Sequence, residues 1–223
     1  MTGLVEIKTL TFQLFGVQLT VNIATIWNTW LVMAILIILA FLATRRLERI
    51  PNPLQRVMEI YVSAMNRLVR EVLEEESRGY FALAATMFLF LFLSNCLGII
   101  PGLTEPTRDL NTPLSLGIMG FFLTHTAAVR EKGFFPYMAE FARPFFIMLP
   151  LNIVGELAKV VSISFRLFGN IFGGAIIITV VSPLVYHLIL PPFLTAFFGL
   201  FIGVIQAFVF TMLTITYIAV ATK

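Results

Sequence analysis

Residues 147–182 read IMLPLNIVGELAKVVSISFRLFGNIFGGAIIITVVS, a run of 36 residues in which only Glu156, Lys159 and Arg166 are charged. As a continuous helix this stretch would be about 54 Å long, whereas the hydrocarbon core of a bilayer is about 30 Å thick. It is therefore long enough to cross a membrane, and it must tilt steeply to stay within one.

The rest of the chain has the same character. Of its 223 residues, 59% are apolar and 12% are charged, whereas about 25% of the residues of a soluble domain are charged. Four stretches of at least 20 residues contain no Asp, Glu, Lys or Arg: 9–44, 79–104, 110–129 and 167–222. This composition predicts an all-α membrane protein, and we treat residues 1–223 as a single membrane domain.

Apolar runs separated by turn-forming residues predict five membrane-embedded helices, at 26–43, 80–99, 113–129, 147–182 and 193–221. The last two should form a long tilted hairpin at the C-terminal side of the chain. Residues 53–76 carry apolar and charged side chains on opposite faces at helical spacing, which predicts an amphipathic helix lying on the membrane interface. The alternative for this segment is a soluble helix that packs on a partner subunit.

The positive charges predict the orientation. With the N-terminus outside, eleven Lys and Arg residues fall in inner segments and two in outer segments. The positive-inside rule favours this arrangement, with the C-terminus in the cytoplasm. The net charge of +3 then reflects orientation in the lipid bilayer, and we expect no nucleic acid as a partner.

Arg166 is the most informative residue, because it lies midway through a predicted span and is followed by 56 residues without a full charge. An arginine at the bilayer centre costs between about 2.5 and well over 10 kcal/mol, and such residues usually mark an ion pathway. Glu156 is ten residues away, about 15 Å along a helix, and pairs better with Lys159 at i+3. Arg166 therefore lacks an obvious internal anion, and we expect another polypeptide to supply one.

Helical spacing places Lys159, Ser162, Asn170 and Gly173 on the same face as Arg166. Gly169, Gly173 and Gly174 remove side-chain bulk there, either for another helix to approach or for ordinary packing within the chain. On the last predicted helix, Gln206 and Tyr217 are three turns apart and face the same way, with Thr214 nearby. For Gln206, a simple interhelical hydrogen bond is as reasonable as a functional site.

Two stretches around these residues, 162–170 (SISFRLFGN) and 206–217 (QAFVFTMLTITY), closely resemble the signature stretches of subunit a of the F-type ATP synthase. The resemblance extends to 95–101 (NCLGIIP), 109–112 (DLNT) and 150–152 (PLN), and so covers most of the chain.

This resemblance implies a membrane stator that faces a ring of c subunits, each with a carboxyl group in mid-membrane, and that is joined to b-type peripheral stalk subunits. It implies an energy-transducing membrane, such as the bacterial plasma (inner) membrane. Arg166 matches the family's essential arginine, and Asn170, Gln206, Ser162 and Tyr217 match polar positions of two aqueous half-channels for protons. Glu156, with its neighbour Lys159, matches the cytoplasmic half-channel. The ATP chemistry would lie on other subunits, so the chain is not an enzyme on its own and needs no cofactor.

The chain departs from the family pattern in the outer half-channel. Many members have a glutamate or histidine where this chain has Ala175, and some have a histidine where it has Gly199. The titratable residues that could approach from the outer side instead are His125, His187, Asp109 and Glu105.

Two other classes of function remain open from the sequence. A stand-alone secondary transporter would bind an anionic substrate at Arg166, and a purely structural scaffold would not need that arginine. One cysteine and two histidines in separate segments make a metal site improbable. The chain also lacks a glycine-rich phosphate loop of the G-x-x-x-x-G-K-[ST] type.

Overall fold

Within the part of the chain that the structure describes, five long apolar helices dominate and confirm the predicted all-α membrane fold. The computed structural model describes residues 9–14, 17–45, 51–73, 77–100, 102–141, 145–184 and 190–222. The first four long helices are α1 (Ile23–Thr44), α3 (Ser77–Cys96), α4 (Asn111–Lys132) and α6 (Met148–Val181). The fifth is a continuous run made of α7 (Leu190–Ala196), a π-helical segment (Phe197–Ile202) and α8 (Gly203–Thr222).

Shorter elements connect these helices. The amphipathic helix α2 (Pro53–Leu73) lies between α1 and α3, and α5 (Phe134–Glu140) follows α4. Two 3-10 turns, Leu97–Ile99 and Pro106–Arg108, belong to the loop between α3 and α4. His187 lies outside the described residues.

An antiparallel β-hairpin precedes α1, which the sequence analysis did not predict. Strands β1 (Thr9–Leu14) and β2 (Val17–Asn22) pair from Thr9 opposite Asn22 to Leu14 opposite Val17. The signal was present, because polar and apolar residues alternate along both strands, which is the period of a strand and not of a helix. The hairpin adds two short strands before the helical bundle and leaves the five long helices unchanged.

Small residues on α4 set how the long helices pack. A side chain at Gly117 would meet Ser164 of α6, and one at Gly120 would meet Thr214 of α8. Farther along α4, Thr124 lines the same cavity as Glu156 and Tyr217. Residue numbers thus fall along α6 and rise along α8 as α4 is followed, so α4 is antiparallel to α6 and parallel to α8.

The bundle has two ends. The first, which we call the α2 end, holds α2 and the last turns of α4 and α8. A buried cluster joins these elements there: Met65, Val69, Leu73, Ala84, Ala127, Ile215, Ile218 and Ala219. The second, which we call the hairpin end, holds the loop of residues 97–110 and the start of α1.

The apolar face of α2 packs on the bundle. The Tyr61 hydroxyl donates a hydrogen bond to the Ala85 carbonyl oxygen of α3 at 2.6 Å, and burial raises the pKa of this phenol. Val57 and Ile60 are exposed on a different side of α2 from that cluster, and Val62 is exposed as well. These apolar side chains are what a helix on a membrane interface needs.

Asn95 joins three parts of the hairpin end. Its side-chain amide donates to the Gly203 carbonyl oxygen at 2.9 Å, and its side-chain oxygen accepts from the Thr107 hydroxyl at 2.7 Å. Asn95 and Thr107 are both fully buried. Because buried polar groups are costly when unpaired, this residue fixes the 97–110 loop and the start of α8 together.

We predict that Asn95→Leu lowers the free energy of unfolding by about 1–3 kcal/mol, because it leaves the Thr107 hydroxyl and the Gly203 carbonyl without this partner. Thermal unfolding of the full chain in detergent measures the change. The control is Thr126→Val, since Thr126 is exposed and its hydroxyl donates only within α4, to Phe122. Equal stability of the two variants would contradict the role given to Asn95.

Candidate functional site

Arg166 lies on the outer surface of α6. Ile163, Leu167 and Ile171 recur every four residues on this helix and are buried in the bundle, so the flank that carries Arg166 faces outward. The Arg166 side chain is exposed, as are Ser162 and Asn170 one turn to either side. Among the described residues, the ion pairs join Lys132 to Glu140 and Lys159 to Glu156, and neither involves Arg166.

The glycines near Arg166 differ in what they face. A Cβ atom at Gly169 or Gly173 would have no described atom of the chain within 4 Å. A Cβ atom at Gly174 would lie 2.7 Å from the ring of Phe198. Gly174 therefore serves packing within the chain, whereas Gly169 and Gly173 keep an open, low surface beside Arg166. Such a surface lets another helix approach closely.

Asn170 and Gln206 connect α6 to α8 at this level. The Asn170 side-chain amide donates to the side-chain oxygen of Gln206 at 2.8 Å. Gln206 is 3% exposed, and its Nε2 atom has no hydrogen-bond partner among the described residues. A polar pair thus crosses an otherwise apolar layer next to the exposed arginine.

A polar cavity opens at the α2 end. The Lys159 ammonium donates to a Glu156 carboxylate oxygen at 2.6 Å, as the i, i+3 spacing predicts, and lies 5.4 Å from the centroid of the Tyr217 ring. These three side chains line a cavity of about 310 Å³ together with Thr124 and Asn152. The cavity is large enough for several waters and carries both charges and hydroxyls.

Tyr137 of α5 belongs to the same cavity. Burial first, and then the nearby carboxylates of Glu156 and Glu140, together raise the pKa of its phenol to about 12. The hydroxyl stays protonated at neutral pH and so remains a hydrogen-bond donor next to Glu156.

His125 also lies at the α2 end, and not with Glu105 as the sequence analysis considered. It lines a small cavity of about 20 Å³ with Glu156, Lys159 and Tyr217, which reaches inward as far as Ile163. The reason is its position on α4. This helix starts at the hairpin end, and His125 is 14 residues, or about 21 Å, farther along it. The His125 Nδ1 atom lies 2.9 Å from the Phe121 carbonyl oxygen, which is within hydrogen-bond distance.

A second polar cavity, of about 150 Å³, opens at the hairpin end. Glu105, Arg108 and Thr104 of the loop line one side, and Ala175 of α6 and Gly199 of the π-helical segment line the other. Asp109 is turned elsewhere, since its carboxylate accepts from the Thr25 hydroxyl at 3.2 Å and from Asn111 at 3.0 Å.

A packed apolar layer separates the two cavities. The cavities of the α2 end reach Ile163 and the cavity of the hairpin end reaches Ile171, which are about 12 Å apart along α6. Arg166 lies at the level of this layer, on its outer face. The layer is a buried cluster: Met87, Leu91, Ile163, Leu167, Ile171, Ala207 and Phe210.

Comparison with known proteins places the sequence of the chain in a family. The model of the family described as the ATP synthase A chain matches residues 26–219. The chain belongs to this family. The ATP synthase subunit a of Moorella thermoacetica is 39% identical over 196 residues, which cover 88% of this chain and 89% of that protein. The ATP synthase subunit a 2 of a Bradyrhizobium species is 35% identical over 214 residues, covering 96% and 94%.

Membership in the ATP synthase A chain family fixes the general role. The chain is a membrane component of the Fo sector of ATP synthase, it assembles with other Fo subunits, and proton translocation is its general function. This favours the stator hypothesis over a stand-alone transporter.

The structure groups the residues that the sequence analysis singled out. Glu156, Lys159, Tyr217 and His125 meet at the α2 end, whereas Ser162, Arg166 and Asn170 share an exposed stripe, with Gln206 buried behind it. Tyr137 and Asn152 were missed. Asn152 is four residues before Glu156 on α6, so helical spacing could have identified it, whereas Tyr137 comes from α5 and only the fold brings it to Glu156.

We predict that alanine destabilises the fold at Gly174 but not at the adjacent Gly173. Gly174→Ala should have a free energy of unfolding about 1–3 kcal/mol lower than that of Gly173→Ala, because its methyl group meets the Phe198 ring. Both changes gain the same helix propensity, so Gly173→Ala is the matched control. Thermal unfolding of the full chain in detergent measures the difference, and equal stability would contradict the packing assigned to Gly174.

Proposed function

We propose that this chain is the proton-conducting stator of a rotary ATP synthase, and that Arg166 faces the c-ring between two aqueous half-channels. One observation carries the proposal: two polar cavities enter from opposite ends of the bundle and stop on either side of an apolar layer, and Arg166 lies on the outer face of that layer. A proton cannot pass through the chain directly. It must transfer to a carrier that moves past Arg166.

The cavity of the α2 end is proposed as the inner half-channel. Glu156, Lys159 and Tyr217 line it, and the hydroxyls of Tyr137 and Thr124 add hydrogen-bonding groups. Glu156 can accept and release protons, while its ion pair with Lys159 holds the carboxylate in the cavity. The cavity of the hairpin end is proposed as the outer half-channel. The positive-inside count supports this orientation, with the α2 end in the cytoplasm.

Arg166 acts as a fixed charge in this mechanism. An arginine stays protonated in proteins, so its guanidinium does not relay protons. A neutral carboxylic acid of the c-ring that approaches it has its pKa lowered by the cation and releases its proton. When the ring carries that group away into lipid, the carboxyl must be neutral again, because a charged one there is costly. Rotation is thereby tied to proton exchange.

The polar stripe around Arg166 supports the contact with the ring. Ser162 and Asn170 flank the arginine on the exposed face, and Gly169 and Gly173 leave room for a helix to approach. The driving free energy for each proton is about 2.3 kcal/mol per 100 mV of membrane potential, in addition to the pH difference. The b-type stalk subunits are proposed to hold this chain still while the ring turns, in a bacterial plasma membrane.

We predict that Arg166→Lys reduces proton-driven ATP synthesis by at least about 100-fold, with the complex still assembled. A lysine keeps the charge but loses the planar guanidinium, and its pKa shifts readily in an apolar site. The measurement is ATP synthesis by the reconstituted complex under an imposed proton-motive force. Arg130→Lys is the control, because Arg130 is exposed near the end of α4, at the α2 end. Activity of Arg166→Lys equal to that of the control would overturn the proposal.

A second prediction tests the open surface beside the arginine. Gly169→Val should leave the thermal stability of the isolated chain close to that of Gly79→Val, since neither glycine has a described atom within 4 Å of its added Cβ. In the assembled complex, only Gly169→Val should slow ATP synthesis, because its side chain would push the ring helix away. Comparable synthesis rates for both variants would exclude a rotor contact at Gly169.

A further inference from the structure

The outer half-channel of the proposed function needs a group that exchanges protons, and neither Ala175 nor Gly199 provides one. Both residues line the cavity of the hairpin end. Among the described residues lining this cavity, the ionisable side chains are those of Glu105 and Arg108. Since a guanidinium does not release its proton, Glu105 is the group there that can exchange one.

The fold gives the Glu105 carboxyl a defined position. Its carboxyl group lies against Gly98, in the space that a side chain at that position would fill. The carboxyl does not cap the 3-10 turn that Glu105 precedes. It is therefore directed across the loop toward the turn at Leu97–Ile99, which packs near the π-helical segment.

The backbone on both sides of Glu105 is held in place. The Asn28 amide donates to the Thr104 carbonyl oxygen at 2.7 Å, and Asn28 is itself buried. Thr107 donates to Asn95, and both are fully buried. A carboxyl on a fixed loop keeps its position relative to α6, as a proton-transfer group requires.

The surroundings also suit proton exchange at moderate pH. Burial raises the pKa of the Glu105 carboxyl, whereas its own backbone N–H and the nearby Arg108 guanidinium oppose that rise without cancelling it. A carboxyl whose pKa lies closer to the working pH is a better proton-transfer group than one with an ordinary pKa.

We infer that Glu105 is the proton relay of the outer half-channel, in the place that a residue at Ala175 or Gly199 would otherwise take. The inference rests on the proposed function. During synthesis the Glu105 carboxylate takes a proton from water entering the cavity and becomes neutral. The acid then gives that proton to water on the Ala175 side, from which it reaches a ring carboxylate, and Glu105 returns to its charged form.

The first test is Glu105→Gln, which keeps the size of the side chain but cannot exchange a proton. ATP synthesis by the reconstituted complex should fall by at least about tenfold. This is a conservative threshold, because a positioned proton-transfer group usually contributes more than that. At a constant proton-motive force, its dependence on the pH of the outer compartment should also differ from that of the wild-type complex, because a glutamine has no proton to lose. Glu131→Gln is the matched control, because Glu131 is exposed at the end of α4 and lines neither cavity.

A rescue variant separates proton exchange from a structural role. Ala175→Glu adds a carboxyl to the opposite wall of the same cavity, so it should restore at least part of the synthesis lost in Glu105→Gln. An unchanged rate and pH profile in Glu105→Gln, or no recovery in the double variant, would overturn the relay. If Arg166→Lys still abolishes synthesis in that case, the stator proposal stands and only the assignment of Glu105 fails.

Discussion

The structure depends on one electrostatic constraint: a permanent cation is placed midway along a membrane helix, without an anion from the described part of its own chain. Burying Arg166 in the bundle would cost far more than the fold gains from a typical contact. The helix instead turns its apolar residues Ile163, Leu167 and Ile171 inward and leaves the arginine exposed. The charge is then compatible with a membrane only where another component meets it.

The rest of the bundle holds α6 in position and forms the walls of the cavities at its two ends. Gly117 and Gly120 let α4 pack closely on α6 and α8, and the buried Asn95 ties the hairpin end together. Between the cavities, a cluster of apolar side chains fills the layer, and the hydrogen-bonded pair of Asn170 and Gln206 and the buried Ser164 are polar groups within it. In the proposed function, this layer would separate the two half-channels at the level where the arginine is exposed.

Much of this was readable in the sequence, because charge-free runs and helical spacing are local properties. The length of α6, the Lys159–Glu156 pair and the outward polar stripe follow from periods of three and four residues. The β-hairpin was missed although its alternation is visible, because its two six-residue strands lie within the charge-free run 9–44, which is typical of a membrane helix. The π-helical segment at Phe197–Ile202 and the cavities could not be predicted, because they depend on contacts between distant segments. Helical spacing puts Gly173 on the face of Arg166, but that Gly174 packs on Phe198 is visible only in the structure.

The most direct measurement is a structure of the assembled Fo sector in a membrane environment. The account predicts that the Arg166 guanidinium lies within about 4–6 Å of a c-ring carboxyl in at least one rotary state, the range in which a cation shifts a carboxyl pKa strongly. It also predicts that water from the two ends reaches the ring on opposite sides of Arg166. A guanidinium that faces lipid, or that pairs with a carboxylate of its own chain, would contradict the account.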